Sequence, residues 1–303
     1  SKKSYIPPCG RLFNGFLFNP FQFNTKVPIK GWLKSYLKSI LFLIKSTKIT
    51  RFSYILFVTN SNSHNFFHWF LDVLQKLEFA SESKNEILNS KIKIIIPNGH
   101  ENSYVKQSLE TFSLDFYFQK KNEIIISKKS ILLPDIAPTG NYRKKQILKL
   151  SQRLKHNWLN KITSKKNKRI YITRKNANYR KLINEDEIID TLLKHEFTVV
   201  DFDNISFNEQ LKYTLNSEIL VSVHGAGLTH MLWMKEKSKV LEIRARDNSH
   251  DNCYFSLASD LQHNYFYTIA DKTDPKKSNH LSNLLINKKD FLSQLNKMLQ
   301  LNN

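Results

Sequence analysis

Three groups of residues carry types and spacings that could do chemistry. In "HNFFHWFLD", residues 64–72, His64, His68 and Asp72 recur every four positions. On a helix that spacing makes one polar stripe, while Phe67, Phe70, Leu71, Leu74 and Leu77 cover the other side. A mostly apolar helix with one titratable stripe is buried and turns that stripe toward a cleft. A histidine beside a carboxylate there suits general-base chemistry, one group taking a proton and the other orienting it. The spacing does not rank His68 against Asp72. Asn65 stands where the glutamate of an H-E-x-x-H zinc motif would be, so no metal is expected on the stripe. Satisfied core histidines are the plainer alternative.

The second group is "VSVHGAGLTH", residues 221–230. A short apolar run leads into a glycine turn and then a helical pattern. Helix N-termini present unpaired N–H groups and partial positive charge, so they bind phosphates and carboxylates. Gly225 and Gly227 would let the backbone approach such a group, and His224 could donate a hydrogen bond from the strand end. The dinucleotide fingerprint G-x-G-x-x-G fails, because His230 holds the third glycine position. A tight structural turn would need the same glycines.

The third group is "RIYITRK", residues 169–175. A strand here delivers Arg174 and Lys175 to its carboxyl end, and Arg180 follows in the same loop. A guanidinium fork matches phosphate oxygens. "KVLEI" places Glu242 near a third strand end, where a carboxylate could take ribose hydroxyls, and Glu209 could do the same if it is not a helix cap. "DFD" at 201–203 has the form of a divalent-cation motif, but it runs from a strand into a helix through Ser206. It reads as loop and cap chemistry.

These groups need a scaffold that brings strand ends together. Apolar runs at 54–59, 91–97, 115–118 and 123–127 alternate with helical patterns at 64–80 and 101–112, and a long basic helix follows at about 142–162. The pattern restarts after "TSKKNK" (163–168). Strands at 169–173, 198–202, 218–223 and 239–244 alternate with helices, one opened by Glu185, Asp186 and Glu187 and one by Ser206 with Glu209 at capping-box spacing. Such alternation predicts an α/β fold of two Rossmann-like halves with parallel sheets, divided as 1–162 and 163–303. Ligands of such sheets bind at the carboxyl ends of the strands.

The 303 residues suit two domains, and 41% hydrophobic content excludes a disordered chain. Lys and Arg outnumber Asp and Glu by 47 to 26, a net charge of +21 that attracts anions. The lysines are dispersed, without the interleaved aromatics or module of a nucleic-acid binder, so nucleic acid is set aside as the lesser reading. A hydrolase using "HGAG" as an oxyanion loop would need G-x-S-x-G, which is missing. Cys9 and Cys253 stand far apart, which suits a reducing compartment. No secretory signal pattern opens the chain, and Ser1 in place of Met is consistent with residues removed before it. No apolar run reaches the roughly 18 residues of a spanning helix. Residues 1–28 read as an irregular lead-in. Residues 30–48 form a basic amphipathic pattern that could lie on an anionic membrane but is expected to pack on its own domain, with snorkelling lysines.

"HNFFHWFLDVLQKL", "YITRKNANYRKLINEDEI", "FTVVDFDNISFNEQLKYTLNSEILVSVHGAGLTHMLW" and "KVLEI", in this order across about residues 60–270, resemble glycosyltransferase family 61. Bacterial members of that family carry the label of capsular polysaccharide biosynthesis. The resemblance implies a GT-B fold and inverting transfer from a nucleotide-sugar donor, with no metal and no cofactor. It implies donor contacts from Arg174, Lys175, Arg180, Glu242 and the turn His224, Gly225, Ala226 and Gly227. It places His64, Asn65, His68, Trp69 and Asp72 on the acceptor side, with His68 or Asp72 as base. The acceptor would be a glycan or lipid-linked oligosaccharide, made in the cytoplasm or at the anionic cytoplasmic face of the membrane. A non-catalytic sugar-nucleotide binder is the alternative.

Overall fold

Isoleucine- and valine-rich runs with short polar breaks form two sheets in the computed structural model. It describes residues 4–6, 13–14, 17–18, 37, 41, 44–82, 92–163, 168–246 and 251–301. The chain divides into two compact units, Ser1–Thr139 and Gly140–Asn303. The lead-in 1–28, the helix 30–48, the break 163–168 and Cys9 fall wholly or mostly outside the described residues. Leu37, Leu41 and Ile44 of that helix are described, and they are helical and exposed rather than packed.

In the first unit, strands β1 (Ser4–Ile6), β2 (Phe13–Asn14) and β3 (Leu17–Phe18) form an antiparallel edge. β4 (Lys48–Phe57), β5 (Ile92–Ile96), β6 (Phe116–Phe118) and β7 (Glu123–Leu132) are mutually parallel where they pair. The order is β3-β2-β1-β7-β4-β5-β6. Starting at β4, the chain steps outward to β5 and β6 and returns to the other side of β4 as β7. That reversal is a topological switch point, where open α/β sheets hold ligands. Ile6, Ile55, Phe57, Ile95 and Ile125 form a core cluster of this sheet.

Helix α1 covers 66–82. Asn65 caps it by accepting the N–H of Phe67 at 2.9 Å, so His64 precedes the helix instead of opening its polar stripe. Between the α-helical Phe66–His68 and Leu74–Glu82, the turn Trp69–Val73 widens into a π-helix. Such bulges recur at functional sites. Helix α2 (Ser103–Glu110) follows β5.

In the second unit, helix α3 (Lys144–Leu159) leads into β8 (Arg169–Ile172). Helix α4 (Glu185–Lys194), β9 (Thr198–Val200), helix α5 (Phe207–Thr214), β10 (Ile219–Val223) and β11 (Lys239–Ala245) follow. Helix α6 (Cys253–Asp260), β12 (Asn264–Lys272), β13 (Leu284–Ile286) and helix α7 (Lys288–Gln300) complete it. The order is β13-β12-β11-β10-β8-β9, parallel except for β13. Every residue of β10 and β11 is buried, as parallel strands covered on both faces must be. The switch point lies between β8 and β10, the strands that deliver Arg174 and His224.

Three expectations change here. α3 packs Trp158 against Phe207 and Trp233, with ring centroids 5.4 and 5.1 Å apart. It therefore belongs to the second unit, and the division falls before α3 rather than at 162/163. A charged break marks exposure, whereas buried aromatic contact decides which core a helix joins. The "GLTHMLW" turn is a 3₁₀ helix, Ala226–Trp233. The elements α6, β12 and β13 arise where the sequence shows no strong period. β12 is only partly buried, which blurs its alternation. Among the described residues, no helix is long and apolar enough to cross a membrane.

Candidate functional site

The switch point of the first unit gathers a polar cluster. Nδ1 of His68 lies 2.8 Å from Asp72 Oδ2, and Thr139 donates its hydroxyl to the same oxygen at 3.1 Å. The His68 side chain is 20% exposed and that of Asp72 only 5%. The histidine thus faces solvent and the carboxylate stands behind it. One turn on, Lys76 is buried and pairs with Asp135 at 2.8 Å. Asn60, just beyond β4, donates to the other oxygen of Asp135 at 3.5 Å. Imidazole, carboxylate and ammonium thus succeed one another along α1 at steps of four residues, as His68, Asp72 and Lys76.

Other residues expected on this side have structural roles. Trp69 is fully buried and donates its indole N–H to Ser108 at 2.9 Å, which fixes the π turn. Asn65 is the helix cap. His64 is exposed, and its carbonyl accepts from Tyr104 at 3.1 Å.

In the second unit, the glycines prove bare for an internal reason. A Cβ built on Gly225 would lie 2.8 Å from a terminal nitrogen of Arg174. The close approach is therefore made by the guanidinium. Its other terminal nitrogen donates to the Tyr179 carbonyl at 2.9 Å. Arg180 donates to the carbonyl of His224 at 2.8 Å. Among the described residues neither arginine makes an ion pair, and the Nε of each is buried without a hydrogen-bond partner. Burial and the like charge of Arg180 lower the Arg174 pKa from its usual value. With no salt-bridge carboxylate among the described residues, and with Asp203 and Glu185 acting on Arg174 only from farther off, the two guanidinium groups form an electropositive seat at the ends of β8 and β10. Gly227 has a different role: a Cβ there would meet two Ile172 carbons at 3.3 Å, so it seats the 3₁₀ turn on β8.

Glu185 holds the end of β8. It accepts from Tyr171 at 2.6 Å, from Thr173 at 2.8 Å and from the Arg174 N–H at 3.2 Å. Its first-turn position suggested only a helix-dipole role. Lys175 is exposed and pairs with Asp186 at 3.6 Å.

His224 and Glu242 differ most from expectation. Glu242 is buried; one oxygen meets Nδ1 of His224 and the other accepts from Tyr265. It is not presented to ribose hydroxyls. Nε2 of His224 lies 2.9 Å from Asp251, so both ring nitrogens are engaged inside the protein. Burial would lower the His224 pKa, but the bonds to Asp251 and Glu242 outweigh it and raise the pKa. The hydrogen bond from His224 holds Asp251 well below the usual carboxylate range.

Two further motifs resolve as structure. Asp201 caps the turn Phe202–Asn204, accepting from Asp203 N–H at 3.0 Å and from the side chains of Asn176 and Asn204 at 2.6 and 2.7 Å. Glu209 is the Ser206 capping partner through its N–H at 3.3 Å, and its carboxylate pairs with Lys212. His230 is a core residue between Gly227 and Gln210, and burial pushes its pKa down to about 3.

Sequence reasoning missed Lys76, Thr139, Asp135, Glu185, Asp251 and Tyr265. Lys76 alone had a signal, since it continues the four-residue series His68, Asp72. The others come from loops, a neighbouring strand or, for Glu185, the first turn of α4, and only folding brings them near.

The fold and its two clusters define an α/β protein that carries a basic anion seat at one sheet's switch point and a histidine–carboxylate dyad at another's. The family model for glycosyltransferase 61 matches residues 66–241, more than half the chain, and the chain belongs to that family. The match opens at α1 and closes within β11. The chain is also 36% identical over 95 residues to the EGF domain-specific O-linked N-acetylglucosamine transferase of Gallus gallus, covering 30% of this chain and 17% of that protein. To the same-named proteins of Mus musculus and Drosophila melanogaster it is 35% identical over 95 and 91 residues, covering 30% and 29% of this chain and 18% and 17% of theirs. The matched part thus spans less than a fifth of these relatives.

Proposed function

We propose that this protein is an inverting glycosyltransferase that moves a sugar from a nucleotide-sugar donor to an acceptor hydroxyl. The observation that carries the reading is the Arg174–Arg180 pair, two guanidinium groups without ion-pair partners among the described residues, at the β8/β10 switch point. Charge that grows on a departing diphosphate is stabilised best by donors already in place. Arginines in that role replace a divalent cation, and the capping bonds of Asp201 leave "DFD" to the loop. His68 is the base, since it is the more accessible member of the dyad, and Asp72 fixes its tautomer and stabilises the imidazolium that forms. A GT-B arrangement, with donor on the second unit and acceptor on the first, is part of this proposal.

The named relatives act in O-linked transfer of N-acetylglucosamine to EGF domains. We therefore take an N-acetylhexosamine as the first donor sugar to test. These animal relatives lend no support to a capsular or lipid-linked acceptor. A peripheral seat on an anionic cytoplasmic membrane face is supported by the +21 charge and by the exposed Leu37, Leu41 and Ile44.

Melting the protein with UDP, GDP, CMP, dTDP and their sugars tests donor binding, since a ligand of the native state raises the Tm by mass action. Labelled donor then tests transfer. Arg174→Ala should abolish the Tm shift, and adding Mg²⁺ or Mn²⁺ to the purified protein should leave the rate unchanged. No shift with any nucleotide would overturn the assignment, and transfer that depends on Mn²⁺ would return the metal role to Asp201 and Asp203.

A further inference from the structure

We propose that His224, Asp251 and Cys253 form a binding site for a zinc-class transition-metal cation. One ligand atom from each lies within 4.8 Å of the others, and no other such trio converges among the described residues. A thiolate and an imidazole with one carboxylate suit zinc, which takes sulfur and nitrogen ligands, whereas magnesium and manganese prefer all-oxygen sites.

The surroundings are those of a built site. Metal-bound histidines give their other ring N–H to a carboxylate, which fixes the tautomer and strengthens the ligand. Here Glu242 occupies Nδ1 of His224 and is itself held by Tyr265. Nε2 is thereby aimed at Asp251 and Cys253. Asp251 and Cys253 are two residues apart where the chain enters α6, and Cys253 and His224 are buried. The Asp251 side chain is 28% exposed, so the trio is reachable from solvent through that residue. Binding releases the Nε2 proton that His224 shares with Asp251 and the thiol proton of Cys253. The dication then balances one carboxylate and one thiolate, and Glu242 keeps its charge against the Nδ1 proton of His224 and the Tyr265 hydroxyl. Such a cation would tie the start of α6 to the end of β10, where the His224 carbonyl receives Arg180. It would steady the arginine seat without touching the donor, so it stands apart from the transfer reading.

The test is metal content and cobalt spectroscopy on the full chain. Protein purified from zinc-supplemented medium should carry stoichiometric zinc by mass spectrometry. After stripping, Co²⁺ should produce visible ligand-field bands and a near-ultraviolet thiolate-to-cobalt band, both saturating at equal stoichiometry. Cys253→Ser should remove the thiolate band, while Cys9→Ser leaves it unchanged. Glu242→Gln should weaken metal affinity by roughly 10- to 100-fold, the usual effect of losing such a partner. Circular dichroism confirms that each variant is folded. Substoichiometric zinc with no saturable thiolate band would overturn the site, and so would a band that follows Cys9. Neither readout depends on nucleotide binding or on transfer.

Discussion

Adding one methyl group at Gly225 and one at Gly227 should produce opposite defects. In Gly225→Ala the new Cβ would sit 2.8 Å from a terminal nitrogen of Arg174, too close for any carbon. The backbone there is extended (φ 166°) and accepts any residue, and the obstacle is the far end of a flexible side chain. The fold therefore yields cheaply and the guanidinium moves. Losing its charge-assisted contact with a diphosphate costs about 1.5–3 kcal/mol, or roughly 10- to 150-fold in Kd. In Gly227→Ala the Cβ meets two Ile172 carbons at 3.3 Å within the packed sheet. Overpacking of this kind costs about 1–3 kcal/mol, and each kcal/mol lowers the Tm of a unit this size by roughly 2–4 °C. Isothermal titration with the nucleotide chosen by the melting screen gives Kd, and calorimetry gives Tm. Gly225→Ala should bind weakly and melt normally, while Gly227→Ala should melt early and bind normally. Should Gly225→Ala keep wild-type affinity while Arg174→Ala loses it, the glycine does not set the guanidinium's place. Wild-type binding by both would refute the anion seat.

Three further outcomes follow from the same geometry. His68→Gln or Asp72→Asn should cut the transfer rate by roughly 10²- to 10⁴-fold, the range for a lost general base, with nucleotide Kd essentially unchanged; intact transfer in both would remove the dyad from the reaction. Asp135→Leu strands the buried ammonium of Lys76 and should destabilise the first unit by about 3 kcal/mol in urea titrations, and Asp135→Leu with Lys76→Met should recover much of that. His230 should make the second unit acid-labile. Its folded pKa of about 3 lies below the unfolded value of 6.5, so only the unfolded chain gains this proton as pH falls between them. Stability is full above 6.5 and falls by about 2 kcal/mol at pH 5. His230→Asn should remove that share of the slope in paired urea melts at pH 7 and pH 5.

The local alternation of apolar runs and helical patterns determined much of the fold. β-branched runs of four to seven residues have few other ways to be buried, so β5, β8, β10 and β11 fall where the pattern places them. Capping was equally local: Ser206 and Asp201 make bonds within three residues of themselves. The partly exposed β12 was not legible, because half-buried strands lose their alternation. Nor was the membership of α3, since a helix's own sequence shows an apolar face but not which core receives it.

For the candidate site, sequence determined the residue types and the stripe of His68 and Asp72, because a step of four residues on a helix is a spatial contact. Tertiary structure decided the rest. It showed that Gly225 makes room for Arg174, that Glu242 turns inward to His224, and that Trp69 is core. Each outcome depends on which strand lies beside which and which way its side chains face. Strand order and facing are set by packing between segments well separated along the chain, 18 residues for Glu242 on His224 and 44 for Arg180 on His224, and no local period encodes them.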